Sequence, residues 1–162
     1  MRWLTSDTHF NHANIIRYCA RPFANAHEMN EVLIARWNEV VRPEDTVYHL
    51  GDVAFGSVEQ GQRIVERLHG SKVLVLGNHD RSAKQMREMG FGAVEKRLEI
   101  EGVLLVHNVE HATAGYSAVL CGHAHEKWRR KRGALNVGVD QHDFRPIEWD
   151  AAVREAMSAS VV

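Results

Sequence analysis

The sequence predicts a layered α/β domain in which helices flank stacked sheets. Two observations carry that prediction. Short apolar runs of strand length recur along the chain, rich in β-branched residues and often apolar on consecutive positions, as strands covered on both faces are. Amphipathic segments of helical period lie between the first of them, the alternation that builds a parallel sheet. A length of 162 residues suits one domain with one substantial core and no cap domain.

Residues 2–5 (RWLT) form the first predicted strand. A helix is predicted over 28–41, where Met29, Val32, Leu33, Trp37, Val40 and Val41 share one face. Strands follow at 46–50 (TVYHL) and 72–76 (KVLVL). Between them a helix over 57–69 opens on Ser57 and Gln60, a capping-box pattern, and stops at Gly70. The device repeats at 82–89 with Ser82, Gln85 and Gly90. Runs at 102–106 (GVLLV), 118–121 (AVLC) and 134–139 (ALNVGV) complete the strands. With little helix between Val94 and Asp140, a second and more antiparallel sheet is expected there. A last helix over 149–157 closes the pattern, and the final few residues are expected to fray.

The bulk numbers exclude several classes of function. Net charge is −1 and the pI is near 6.8, so no global field draws the chain to nucleic acid or membrane. No run approaches membrane-spanning length, and the first residues lack the pattern of a secretory signal. A cytoplasmic protein without a membrane partner is expected. Cys19 and Cys121 make no spacing motif and read as thiols in a reducing compartment. Histidine is the outlier at eleven residues, which raises the expectation of a metal or acid–base site.

Five apolar runs end in metal-competent side chains. Asp7 and His9 follow the first, Asp52 the second, and Asn78-His79-Asp80 the third. His107 follows 102–106, and His123 and His125 follow 118–121. Glycine precedes the polar residue in three cases, at Gly51, Gly77 and Gly122. The carboxyl ends of strands in an open α/β sheet gather into one crevice, so five such ends can converge in space. An Asp after a strand is ordinarily a turn former, and one D-x-H or H-x-H carries little. Five coincidences at five strand ends point to a metal site.

The order D-x-H, G-D, G-N-H-D, H, G-H-x-H resembles the calcineurin-like metallophosphoesterases, in particular their small single-domain bacterial and phage members. The resemblance runs from residue 3 to about 147 and includes SDTHFNHANIIRYC, DTVYHLGD, LGNHD, CGHAH and LNVGVDQHDFRPI. It implies a four-layer α/β/β/α sandwich of two stacked mixed sheets flanked by helices. It also implies two divalent metal ions, Mn²⁺ foremost, with Fe, Zn²⁺, Ni²⁺ or Co²⁺ able to serve. By the same resemblance Asp7, His9 and His125 hold the first ion, and Asn78, His107 and His123 the second. Asp52 bridges them, and His79, supported by Asp80, is the catalytic histidine. The implied reaction is attack of a metal-bridging hydroxide on a phosphate ester, with a phosphodiester slightly preferred. A phosphomonoesterase and a non-catalytic protein-binding scaffold on the same fold are the alternatives. Nucleotides and nucleic-acid ends are among the open substrate classes. The chain departs from the family pattern at Asn11, where glycine is expected, and around His107, for which His111 is the alternative.

Residues near these motifs have readings of their own. His12 and Asn14, at the start of a helix, are candidate substrate contacts or simple capping groups. Tyr48 and His49 are expected in the core or behind a ligand. Arg17, Arg21 and Arg145 are candidates for phosphate. Lys127, Arg129, Arg130, Lys131 and Arg132, with Trp128 among them, form either a soluble hairpin edge or an electrostatic lip for a nucleic acid.

Overall fold

The apolar runs pair in two groups, and each group becomes a sheet. The computed structural model describes residues 1–131 and 133–158, so the expected fraying and Arg132 fall outside the described residues. The first sheet contains β1 (Arg2–Thr5), β2 (Thr46–His49), β3 (Ser71–Val75), β4 (Ala93–Glu95) and, at its edge, β10 (Ile147–Glu148), in the order β10-β1-β2-β3-β4. The second contains β5 (Leu98–Ile100), β6 (Val103–Leu105), β7 (Ala118–Cys121), β8 (Arg130–Lys131) and β9 (Ala134–Asn136), in the order β5-β6-β7-β9-β8. Helices α1 (Ala13–Tyr18), α2 (Ala26–Val40), α3 (Val58–Val65), α4 (Ala83–Met89) and α5 (Trp149–Met157) flank them.

In the first sheet β1 to β4 are parallel, with Leu4 opposite Tyr48, Tyr48 opposite Val73 and Leu74 opposite Val94, and only β10 runs antiparallel. Among the described residues the second sheet is the more antiparallel of the two, as expected, with two antiparallel pairs of four against one of four in the first. Its inner strands β6, β7 and β9 are parallel, and antiparallel pairing is confined to the edges β5 and β8. The reason lies in the segment after β6. It passes through a 3₁₀ turn at Val109–His111 and returns as a crossover rather than a hairpin. That crossover brings the carboxyl ends of β6 and β7 to the same edge.

Alternation along each strand explains the continuous apolar runs. Leu4, Tyr48 and Val75 meet Leu105, Leu120 and Leu135 between the sheets, while Trp3 and Val47 face α2, and Leu74 faces α3 and α4. On the second sheet the outward residues Leu104, Cys121 and Ala134 are covered by Val109, Ala112, Tyr116 and Trp128. That outer layer is thin. Trp149, Ala152 and Ala156 of α5 join the core between the sheets.

The helix signals act as their chemistry requires. Asn25 caps α2 by accepting from the Glu28 N–H, and Ser57 with Gln60 completes a capping box on α3. Helix α3 ends at Val65, short of Gly70, and the chain reaches that glycine through a turn. His12 stands at the N-terminus of α1 but makes no side-chain capping bond, so its ring is free for other contacts.

Candidate metal centre

Just beyond β1, β2 and β3 the chain leaves one sheet, and beyond β6 and β7 it leaves the other. The loops meet there, and the Asp7 carboxylate accepts a hydrogen bond of 2.9 Å from the His123 N–H across the two sheets. Asp7, His9, Asp52, His123 and His125 all take left-handed backbone, with φ between 47° and 68°. Asp and His tolerate this region better than most residues, at a cost of about 1–2 kcal/mol each. The glycine before each motif has a steric cause. A Cβ at Gly122 would lie 2.0 Å from Ser6 Oγ and 2.4 Å from Asp7 Oδ2, and one at Gly77 would lie 2.2 Å from Asp52 Oδ1. Asn11 occurs where glycine is expected, with φ of 65°. It holds that conformation through paired amide bonds with Asn30 and a bond to the Phe55 carbonyl.

One group of donors comprises Asp7, His9 and His125. Asp7 Oδ1 lies 4.0 Å from His9 Nε2 and 3.8 Å from His125 Nε2. Asp7 Oδ1 and His9 Nε2 are buried and have no hydrogen-bond partner. A buried carboxylate oxygen and a buried imidazole nitrogen left unpaired are costly unless a cation satisfies both. Burial raises the Asp7 carboxyl above its ordinary pKa, opposed by His107 and His125. Burial, with His125 and Arg21 nearby, pushes His9 down to about 2. His9 is therefore a neutral nitrogen donor.

A second group comprises Asn78, His107 and His123. His107 Nε2 is 2.9 Å from Asn78 Oδ1, and His123 Nδ1 is 3.1 Å from the same oxygen and 3.3 Å from His107 Nε2. Donor atoms in one coordination sphere at ~2.0–2.2 Å from the ion stand roughly 3–3.5 Å apart, so this spacing fits a cation. His107 Nδ1 donates to the Leu50 carbonyl at 2.7 Å, which leaves Nε2 as the lone-pair nitrogen. His107 is buried, whereas His111 is exposed on the 3₁₀ turn.

Asp52 stands between the groups. Its Oδ2 lies 3.5 Å from His9 Nε2 and 3.5 Å from His107 Nε2, while Oδ1 accepts the His79 N–H at 2.9 Å. The donor set of both groups, imidazole nitrogens with carboxylates and one amide oxygen, suits a borderline divalent transition metal.

Behind these atoms is a supporting layer. The His125 Nδ1 and Asp140 Oδ2 atoms are 3.2 Å apart, and Asp140 is held by Arg21 through bonds of 2.8 and 2.9 Å. Burial opposes charge on His125, but its bonds to Asp140 and Cys19 outweigh it and bring the imidazolium up to about 10. His49 joins two loops, accepting from Gly51 N–H and bonding Thr8 Oγ1 at 3.0 Å, and burial pushes it down to about 3. Asp80 accepts from the backbone N–H groups of Gly77, Asp52 and Val53. It therefore supports His79 by bracing the loop rather than by touching its ring.

The remaining expectations divide. His79 is exposed at the rim, its ring 5.8 Å from that of His9, and His12 Nδ1 is 3.3 Å from His9 Nδ1. Asn14 is exposed on α1. Arg21 is a correction. It is buried against Asp140 and the Asp7 and Thr8 carbonyls, with no donor free for a substrate. Arg145 is drawn to Asp143 and Glu39. In the basic run Arg129 pairs with Glu155, Arg130 reaches the Ser158 carbonyl, and Trp128 packs on the outer core. Asp140 and Asn136 were missed. Asn136 ties the His125 and Trp128 carbonyls together, and its only sequence signal was a polar residue inside an apolar run.

A model of the calcineurin-like phosphoesterase superfamily domain matches residues 3–139. The chain belongs to that superfamily. The phosphoesterase is 35% identical to an uncharacterised protein of Methanocaldococcus jannaschii, over 99% of this chain and 93% of that protein. It is 37% identical to the gene 66 protein of Mycobacterium phage L5 over 48% of this chain and 39% of the phage protein. A crystal structure of an Aquifex aeolicus protein of unknown function superposes with a TM-score of 0.72 at 28% identity, over 91% of this chain and 94% of that one. Membership makes this phosphoesterase a metal-dependent hydrolase of phosphate esters. No helix among its described residues is long and apolar enough to cross a membrane.

Proposed function

We propose that the chain hydrolyses phosphodiesters in preference to monoesters at a dinuclear centre. In this reading Asp7, His9 and His125 hold one ion, Asn78, His107 and His123 hold the other, and Asp52 is shared. The observation that carries it is the single oxygen, Asp52 Oδ2, at 3.5 Å from an imidazole nitrogen of each group. Two bound divalent ions, Mn²⁺ foremost, would supply Lewis acidity toward the phosphoryl oxygens and a water of lowered pKa. The chain's own residues do the rest. Asp52 and Asp7 hold the donors in register through backbone N–H bonds from His79 and His123. His79, exposed beside the first group, delivers a proton to the leaving oxygen.

Preference for a diester is supported by cavities on both flanks. One of about 300 Å³ adjoins Asn78, His107 and His123 and reaches Lys96 and His111. Another of about 280 Å³ adjoins His9, His79 and His125. A diester has a substituent for each. The free thiols of Cys19 and Cys121 suit a cytoplasmic setting.

The test uses metal-stripped protein re-supplied with Mn²⁺, assayed on bis-p-nitrophenyl phosphate and p-nitrophenyl phosphate beside His79→Ala. Metal-dependent turnover of the diester, cut by about 10²–10⁴-fold in the variant, is expected. Monoester preference would overturn the diester reading, and no turnover of either with two metals bound would overturn the hydrolase mechanism.

A further inference from the structure

The cavity beside His79 is walled unlike the other flank of the cleft. Tyr18 stands at it with 61% of its surface exposed. The other exposed large apolar residues among those described, Met1 and Met157, line neither flank of the cleft. An aromatic ring open to water at the mouth of a cavity offers a flat face to a planar ligand. The wall is a corner of rings. His12 stacks on Phe55 with centroids 3.9 Å apart and planes at 20°, and Tyr18 stands nearly perpendicular to His12 at 77°. Ile15 adds an apolar floor, and Lys127 and Glu126 complete the lining.

Charge narrows the occupant. Lys127 lines the cavity and supplies a cation for an anionic ligand with an aromatic part, while Arg17 lies over the Tyr18 ring at 5.4 Å. Glu126 offers an acceptor for an exocyclic amine. A volume of about 280 Å³ accommodates a ring system with its sugar and is small for a long polymer tract. We propose that this cavity is a base-stacking subsite, with Tyr18 as its principal wall, and that the ester cleaved at the centre is that of a nucleotide. The inference rests on the phosphoesterase reading and assigns the substrate class of that same site.

Cys19 supplies a readout that needs no turnover. It is half-buried and lines the cavity, whereas Cys121 is fully buried and its thiol is pushed up to about 12 by burial and by Asp7. Alkylation of Cys19 by N-ethylmaleimide is followed in the Mn²⁺-loaded full chain with AMP, ribose 5-phosphate or inorganic phosphate present. AMP is expected to protect at far lower concentration than ribose 5-phosphate. Tyr18→Ala is expected to raise the AMP concentration for half-protection by about 5- to 100-fold, and Tyr18→Phe to leave it near wild type. Equal protection by AMP and ribose 5-phosphate, or AMP protection indifferent to Tyr18→Ala, would overturn the proposal. The two readings fail separately. AMP protection without hydrolysis of any ester would remove the mechanism and keep the subsite, and full turnover without AMP preference would do the reverse.

Discussion

Replacing Arg21 with methionine tests the support behind the first group of donors. The Arg21 and Asp140 side chains are 0% and 3% exposed, so the pair lies out of water. Arg21 makes four bonds of 2.7 to 3.0 Å, two to the Asp140 carboxylate and two to the carbonyls of Asp7 and Thr8. Methionine fills most of the volume but leaves Asp140 with His125 as its remaining partner. Stranding one member of a buried pair costs about 3–5 kcal/mol. Against a total stability of roughly 5–15 kcal/mol the variant should still fold, with a much lower urea midpoint and an unchanged m value. The double variant Arg21→Met with Asp140→Leu removes the stranded charge and should regain about 2 kcal/mol of the loss. Released from Asp140, His125 loses the contact that orients its ring, and affinity at the first group should fall about 10–100-fold in a Mn²⁺ titration. A loss below about 1 kcal/mol in Arg21→Met, or a double variant no better than the single, would refute the reasoning from burial.

Three further outcomes follow from the same geometry. Asp7→Asn keeps the shape and the bond to His123 N–H while removing a buried charge, so the metal-free protein should gain about 0.5–2 kcal/mol while metal content by mass spectrometry falls. Gly122→Ala drives a methyl into Ser6 Oγ and Asp7 Oδ2, and calorimetry should record a loss of about 1–3 kcal/mol with reduced metal binding. His49 is held neutral in the fold, at about 3, while its unfolded counterpart takes up a proton below about 6.5. Its share of stability is therefore full above pH 6.5 and declines as pH falls toward 3, on the order of 1 kcal/mol per unit. His49→Gln should flatten that part of the acid unfolding curve.

The candidate ligands were legible because metal chemistry restricts residue type and the sheet restricts place. Turn formation alone would not put Asp, Asn and His at the ends of five apolar runs, and all seven meet at one cleft. What sits behind them was not legible. Arg21 and Asp140 are 119 residues apart, and nothing local distinguishes a buried arginine from one on a surface loop. The same blindness made Arg21 a phosphate candidate. The parallel pairing inside the second sheet leaves no signal of its own, because its crossover is built from a 3₁₀ turn and irregular chain rather than a helix with a readable period. The two-residue edge strands β8 and β10 are too short to leave any pattern.

The left-handed backbone beneath Asp7, His9, Asp52, His123 and His125 shapes how this centre can be lost over generations of random substitution. Residues that suit such backbone form a short alphabet, glycine first and then Asn, Asp and His. The alphabet of metal ligands overlaps it only in part. A population screened for stability alone would drift at these five places toward glycine and asparagine, which relax the chain and bind ions poorly. At Asp7 and Asp52 that relief is offset by the backbone N–H bonds their carboxylates accept from His123 and His79, so the strain weighs most at the three histidines.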